Sequence, residues 1–518
     1  MPFVRAIIPA AIVGLCVSAP AYAATPGSFE AALNSITRKD LKRHVGYLAS
    51  DAFEGREAGT RGGRMASLYI TSQFKRFKSL RPGGDKNSYT QRFDFNFRNI
   101  LVLLPGRDTT LKREYVVVCA HYDHVGYGTR RNSQGPVGYI HNGADDNASG
   151  TAGVLEVIEA FATLERRPRR SVLFVFWDAE EKGLLGSEHW VKHPTVPREK
   201  VRLMLNVDMI GRLRNGRIEV HGCRGAFGMR RFLSEHSANR ALHLQFGWDL
   251  PRESDHYPFL QAAIPAIMLH TGKHADYHRP SDDAHKLNFS GLQSLSRLTF
   301  RLAYAAANAE RLPRYRAACF GEAETDRRRK FAALPPLPPR LGLAWDATRS
   351  RRGNIRVVSV ASGGPAQQGG VKPGDRVLRF AGVRVRNSGH FRRLVMGAVN
   401  PVPIVVQRDG RNQPLTLRVR LRGQARRVGV SWEEDDGEPG SVVLRRVIAD
   451  SPAALAGLQV GDRVYAVDGK PFKTEREFRD ALAAEKDTLR LRVERHGWIR
   501  DATMSLSPSP PVAAARPE

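Results

Sequence analysis

Four apolar runs in the first 310 residues each lead into a side chain that favours hard or borderline metals, and this arrangement restricts the fold more than any other feature. The runs read YVVVCAHYDH at 115–124, SVLFVFWDAEE at 171–181, LMLNVDMIG at 203–211 and IPAIMLHTGKHADYH at 264–278, with NGADDNASG at 142–150 between the first two. The polar residues concerned are His121, Asp146, Glu181, Asp208 and His278, separated successively by 25, 35, 27 and 70 residues. A strand, its crossover helix and the next parallel strand take about 30 residues or more. The polar residues therefore recur at the period of the fold, where an open parallel sheet gathers its ligands.

That pattern predicts an α/β domain over residues 25–315, with a mainly parallel central sheet flanked by helices. Strands are expected at Tyr115 to Ala120, Ser171 to Trp177, Val201 to Val207 and Ala263 to Leu269. Helical spacing of Val154, Leu155, Val157, Ile158, Phe161 and Leu164 predicts a crossover helix over 150–164, and a second helix is expected from Leu292 to Ala309.

The start of the chain reads as a signal peptide, residues 1–23. Arg5 precedes an apolar run from Ile7 to Val17, and Ala21-Tyr22-Ala23 supplies the small residues of a cleavage site. The expectation is an exported protein, periplasmic or extracellular. Export would leave Cys119, Cys223 and Cys319, an odd number that argues against a disulfide framework, and Cys119 fits a small buried hydrophobe within a strand. Net charge is +29, of which residues 341–508 carry 30 Lys and Arg against 18 Asp and Glu. Read as a spread surplus without a basic stripe interleaved with aromatics, it argues against nucleic acid and for weak association with an anionic cell envelope.

Residues 316–340 hold an Arg-rich run and then Leu334-Pro335-Pro336-Leu337-Pro338-Pro339, which predicts an extended, semi-rigid linker. Beyond it the chain repeats at an offset of 87 residues: Leu341-Gly342-Leu343-Ala344-Trp345 matches Val428-Gly429-Val430-Ser431-Trp432, and Gly374-Asp375-Arg376-Val377 matches Gly461-Asp462-Arg463-Val464. Two copies of one small β-rich domain are expected, over 341–424 and 425–508, followed by a disordered tail at 509–518.

Two histidines and three carboxylates meet the needs of two zinc ions, which take imidazole nitrogen and carboxylate oxygen and share a carboxylate when about 3.5 to 4 Å apart. The segments Leu48-Ala49-Ser50-Asp51 through Gly55-Arg56, AHYDH, GADDNASG, DAEEKGLLGS, NVDMIG, SDHYPF and YHRPSD together resemble the co-catalytic zinc aminopeptidase family that includes glutamate carboxypeptidase, the transferrin receptor ectodomain and glutaminyl cyclases. The resemblance implies a zinc exopeptidase fold and two zinc ions, one on His121, Asp208 and a bridging Asp146, the other on Asp146, Glu181 and His278. It also implies a cis peptide after Asp146, a metal-bridged hydroxide as attacking group, Glu180 as general base, Asp123 as the carboxylate orienting His121, and Tyr277 as donor to the oxyanion. Asp145, His124 and His141 are read as loop or pocket residues, and Ser254-Asp255-His256 is left without a role.

Each repeat resembles a PDZ domain of bacterial envelope proteases, which implies capture of peptide C-termini or exposed strands beside Gly342 and Gly429. The leading expectation is an exported aminopeptidase acting on peptide substrates. Glutaminyl cyclisation or carboxypeptidase action on the same scaffold, and a non-catalytic PDZ scaffold, stand as alternatives.

Overall fold

The computed structural model describes residues 25–347 and 355–506. The expected signal peptide, 1–23, and the expected tail, 509–518, lie outside the described residues.

The first domain is built on one mixed sheet. Its strands are β1 (Phe97–Leu104), β2 (Tyr115–His121), β3 (Ser171–Trp177), β4 (Val201–Val207), β5 (Arg217–His221), β6 (His243–Phe246) and β7 (Ala266–His270). They lie in the order β1-β3-β2-β4-β7-β5-β6, and two short strands, Arg81–Pro82 and Thr90–Phe93, pair with β1. The four central strands β3, β2, β4 and β7 run parallel. The outer strands differ, since β1 joins β3 and β5 joins β7 antiparallel. The expected parallel sheet is thus the centre of a mixed one, and β1, β5 and β6 are strands the sequence reading did not include.

Alternate residues of β2 explain why the run is apolar throughout. Val116, Val118 and Ala120 face a core shared with helices α1 (Gly150–Ala162) and α2 (Phe289–Asn308), while Val117 and Cys119 face a second core containing Trp177, Trp190 and Phe259. With both faces covered, the central strands read as largely hydrophobic stretches, with Arg202 and Asn206 the polar positions of β4. All three described cysteines are buried and free. Among the described residues no helix is long and apolar enough to cross a membrane.

The two repeats keep their 87-residue register in three dimensions. In the first, β8 (Leu343–Trp345), β9 (Ile355–Val360), β10 (Arg376–Phe380), β11 (Val383–Arg384), β12 (Val402–Gln407) and β13 (Leu415–Val419) form one sheet; in the second, β14 (Val430–Glu434), β15 (Val442–Val447), β16 (Arg463–Val467), β17 (Lys470–Pro471), β18 (Thr488–Arg495) and β19 (Trp498–Ser505) form another. The shared Gly-Asp-Arg-Val block has a structural cause. Asp375, nearly inaccessible, accepts from Arg408 Nε at 2.8 Å, and Asp462 accepts from Arg495 Nε at 2.5 Å.

The segment 316–340 departs from an extended spacer. It contains a helix, Glu324–Lys330, and then lies along the second repeat, where Leu334 N–H donates to Arg445 O at 2.8 Å and Arg446 Nη2 donates to Pro335 O at 2.7 Å. The prolines do favour extended backbone, but the available carbonyls and amides give that backbone a surface to bind.

The second repeat is also docked on the first domain. Asp435 is held between Arg224 and Arg463, Arg224 also reaches Glu322, and Arg230 Nε donates to Glu494 at 2.8 Å. Glu438 accepts the backbone N–H groups of Arg230 at 2.8 Å and Arg231 at 3.2 Å, capping the helix Met229–His236 from another domain. Backbone bonds Gly228 N–H to Gly437 O and Leu244 N–H to His496 O, at 2.9 and 3.0 Å, complete the contact.

Candidate metal centre

Every one of the five sequence-predicted ligands arrives at the same end of the sheet. His121 is the last residue of β2, Asp208 follows β4 directly, Glu180 and Glu181 follow β3 after a short turn, and His278 comes from the loop after β7. Asp146 sits in the turn leading into α1. Parallel strands point the same way, so residues at their carboxyl ends converge.

The shared carboxylate has the geometry of a bridge. Asp146 Oδ1 lies 3.4 Å from His121 Nε2, and its Oδ2 lies 3.0 Å from His278 Nε2. On one side His121 Nε2 is 3.3 Å from Asp208 Oδ1; on the other His278 Nε2 is 3.1 Å from Glu181 Oε2. Ligand atoms of His124, Asp146, Glu181 and His278 lie within 4.8 Å of one another, as do those of His121, Glu180 and Asp208. His278 Nε2 is buried and makes no hydrogen bond although it points between two carboxylates. That orphaned nitrogen and the mixed imidazole and carboxylate donors fit zinc.

The local electrostatics have the same cause. Burial pulls the His278 imidazole down, but contacts with Asp146 and Glu181 outweigh it and raise it to about 11. Such a rise means that the cluster attracts positive charge strongly. Burial pushes the Glu180 carboxyl well above its usual range; Glu181, Asp255 and Asp208 add to the rise, and His121 opposes it.

Backbone and side chains around the ligands hold them in place. The Asp146–Asn147 peptide is cis, as the resemblance implied. Ala179, Met209 and His278 have φ of 56°, 50° and 50°, left-handed values uncommon for residues with a side chain. Asp123 uses its carboxylate on the glutamate turn, accepting the N–H of Glu180 at 3.1 Å and of Glu181 at 3.3 Å. His121 Nδ1 lies 3.2 Å from the Asp123 backbone oxygen and 3.7 Å from its Oδ1. Asp123 therefore positions both sides of the site.

Several residues gain roles that sequence reasoning did not assign. His124, read as a pocket residue, is buried with Nδ1 2.9 Å from Glu181 Oε1. Asp145 accepts Gly211 N–H at 2.6 Å and stands 3.2 Å from His274, tying the turn after Asp208 to the turn before α1. Asp282 accepts the N–H groups of Asp145 and Asp146 at 2.8 and 3.1 Å, and Ser254 Oγ donates to Asp208 Oδ2 at 2.7 Å. Arg56 is wholly buried and donates to the carbonyls of Leu48, Tyr122, Asn142 and Gly143, with burial lowering its guanidinium to about 10 against the pull of Asp146. Arg56, Ser254 and Asp282 all stood in quoted motifs, which was the available signal. His141 instead bonds Ser133 and the Tyr139 carbonyl.

A cavity of about 330 Å³ opens over the cluster. Tyr277 lines it and stacks on His278 with ring centroids 3.9 Å apart. Glu219, His221, Glu253, His270 and Lys273 also line it, and Lys273 Nζ pairs with the exposed Glu253 at 2.7 Å.

A mixed sheet flanked by helices, with a histidine and carboxylate cluster at the carboxyl ends of its parallel strands, defines the class of α/β domains with a candidate metal centre in the ligand crevice. Residues 99–303 match Peptidase family M28, and residues 339–419 and 443–495 each match a PDZ domain. The chain thus carries an M28 peptidase domain followed by two PDZ domains. It is 28% identical over 300 residues to leupeptin-inactivating enzyme 1 of Streptomyces exfoliatus, covering 55% of this chain and 61% of that protein. It is also 28% identical over 211 residues to aminopeptidase YwaD of Bacillus subtilis (strain 168), covering 39% and 43%. These matches span less than two thirds of either relative. Among solved structures, the Legionella pneumophila LapA aminopeptidase aligns with a TM-score of 0.46 at 18% identity, over 54% of this chain and 75% of that one. The Porphyromonas gingivalis glutaminyl cyclase aligns at 0.42 and 17%, over 51% and 97%.

Proposed function

We propose that this chain is an exported, zinc-dependent exopeptidase, acting as an aminopeptidase on peptides. The observation that carries the reading is Asp146, whose two carboxylate oxygens face different histidines. Two zinc ions, one on His121, Asp146 and Asp208 and one on Asp146, Glu181 and His278, would supply Lewis acidity and lower the pKa of water toward about 7.

The protein's own groups do the rest. Glu180 lies in the cavity beside the ligands, accepts a proton from the attacking water and returns it to the leaving amine nitrogen as the C–N bond breaks. Asp123 fixes the turn that carries Glu180. Tyr277 donates its phenolic hydrogen to the carbonyl oxygen as negative charge gathers there. The cavity favours an ammonium end of the peptide over a carboxylate end, because Glu219 leaves a negative charge there and Lys273 is engaged by Glu253.

The PDZ pair recruits or positions peptides in this reading. Among the described residues, strands β8 and β14 each pair with one neighbour, β9 and β15, which leaves the other edge for an added strand. Beside β8, Leu343, Trp345, Val395 and Met396 line an apolar cavity of about 580 Å³. The signal-like start supports export, and the net charge of +29 supports weak envelope association.

The test is Glu180→Gln. Zinc content should stay near two per chain while kcat on an aminoacyl substrate falls by about 10²–10⁴-fold. Undiminished hydrolysis in this variant rejects the mechanism.

A further inference from the structure

The two PDZ domains differ sharply in charge on one fold: the first is strongly basic and the second nearly neutral. Residues 341–424 contain 16 Lys and Arg against 3 Asp and Glu, whereas residues 425–508 contain 14 against 15. The surplus in the C-terminal part is therefore concentrated on PDZ1, a correction to the even spread read from the two repeats together.

Much of it covers one face of a sheet. Arg356 on β9 stands directly opposite Arg376 on β10, Arg379 on β10 stands opposite Arg384 on β11, and Arg418 on β13 stands opposite Pro403 on β12. All five arginines are exposed. Like charges in direct cross-strand pairs destabilise a sheet, so folding alone gives no reason for them. The nearby carboxylates offset little: Asp409 pairs with Arg356 at the surface, and Asp375 is buried against Arg408.

PDZ2 shows what the corresponding face does when it is covered. At the 87-residue offset, Arg356, Arg379 and Gln407 become Val443, Ala466 and Glu494. Val443 and Ala466 are 3% and 4% exposed, lie outside the PDZ2 core, and belong to the face where Glu494 receives Arg230 of the peptidase domain. PDZ1 keeps the face but replaces those apolar and acidic anchors with arginine or neutral glutamine. Protein interfaces depend on buried apolar and aromatic anchors, and bound single-stranded bases need aromatic platforms. This face has neither. It is a flat array of guanidinium groups with Val358, 60% exposed, among them.

We propose that the arginine face of PDZ1 docks the protein on an anionic phospholipid surface, with Arg356, Arg376, Arg379, Arg384 and Arg418 meeting headgroup phosphates. Each cation near such a surface adds a modest, salt-screened attraction, and five in one plane act together. The proposal gives the envelope association a definite surface and rests on that part of the functional reading, not on the peptidase chemistry.

The test is sedimentation of the full chain with vesicles of mixed phosphatidylglycerol and phosphatidylcholine, against phosphatidylcholine alone. A variant combining Arg356→Gln, Arg376→Gln, Arg379→Gln and Arg384→Gln is compared with a charge-matched control combining Lys42→Gln, Arg107→Gln, Arg166→Gln and Arg167→Gln, all exposed on the peptidase domain. The face variant should lose about tenfold or more in partitioning to anionic vesicles, while the control keeps its binding and both hydrolyse a small aminoacyl substrate like the parent. Equal loss in both variants overturns the proposal, as does equal binding to uncharged vesicles. A parent protein that ignores anionic vesicles but holds polyglutamate or DNA through these arginines also overturns it. Vesicle binding without peptide hydrolysis would instead count against the proposed function and leave this inference standing.

Discussion

The Asp123 carboxylate and the Glu180 amide form a 3.1 Å hydrogen bond that joins the end of β2 to the turn after β3. The same carboxylate takes the Glu181 amide at 3.3 Å, so one side chain orients a candidate proton acceptor and a candidate metal ligand. Asp123→Asn keeps the size but turns an NH₂ toward one of the two amides. Activity or zinc affinity should fall by about 10–100-fold. Unchanged kcat together with unchanged zinc titration would show that Asp123 does not position the turn.

Removing metal should destabilise the peptidase domain. Asp146, Glu181 and Asp208 stand close together with limited access to water, and a ligand that binds only the folded state raises its stability. Chelation should lower the thermal midpoint, and zinc should restore it. Calorimetry with and without chelator reads this directly, and an unshifted midpoint would contradict a filled centre.

The Glu219 carboxyl is held below its usual range, first by its contact with His221 at 3.4 Å and further by nearby His270 and Arg217 despite partial burial. It therefore carries a fixed negative charge at neutral pH, in the cavity. Glu219→Gln should reduce kcat/KM for leucine- and lysine-initiated peptides alike by roughly ten- to a hundredfold, the scale of one charge-assisted hydrogen bond to the ammonium end. Unchanged kcat/KM on both substrates would assign Glu219 no part in holding the ammonium end.

Docking of PDZ2 should depend on pH in a defined direction. Burial acts to raise the Asp435 carboxyl, but Arg463 and Arg224 overcome that and hold it well below its ordinary value. A carboxyl depressed in the folded state contributes its stability above its unfolded pKa of about 3.9 and loses it as pH falls toward the folded value. Hydrogen exchange at the Gly228 and Leu244 amides, both bonded to PDZ2, should stay slow near neutrality and accelerate on acidification below about pH 4. Asp435→Asn should cost about 3–5 kcal/mol at neutral pH, because it leaves buried guanidinium charge without its partner. Exchange unaffected by that substitution would mean the ion pairs do not hold the domains together.

Much of the centre was legible because the central strands are covered on both faces. Ser171–Trp177 and Val201–Val207 appear as mostly apolar runs with their observed bounds, and the acidic ligands follow within a few residues of them. The run Phe97–Leu104 is just as apolar but precedes no chemical residue, and it turns antiparallel to become an outer strand. Arg217–His221 and His243–Phe246 are short and alternate with polar residues, so periodicity gave little signal.

The supporting contacts were hidden for another reason. Arg56 serves carbonyls up to 90 positions away, and Asp282 reaches back more than 130 residues to Asp146. A linear pattern holds no record of such pairings. Arg224, Asp435 and Glu494 likewise look like ordinary surface charges until the fold sets them face to face.

The cap that Glu438 places on Met229–His236 also alters how PDZ capture would assist cleavage. A module swinging on a loose tether raises local substrate concentration whatever the substrate's size. One anchored through a helix end acts as a ruler: a peptide gripped there gains cleavage only when its free arm spans the set gap to Glu180, so benefit should switch on at a threshold chain length.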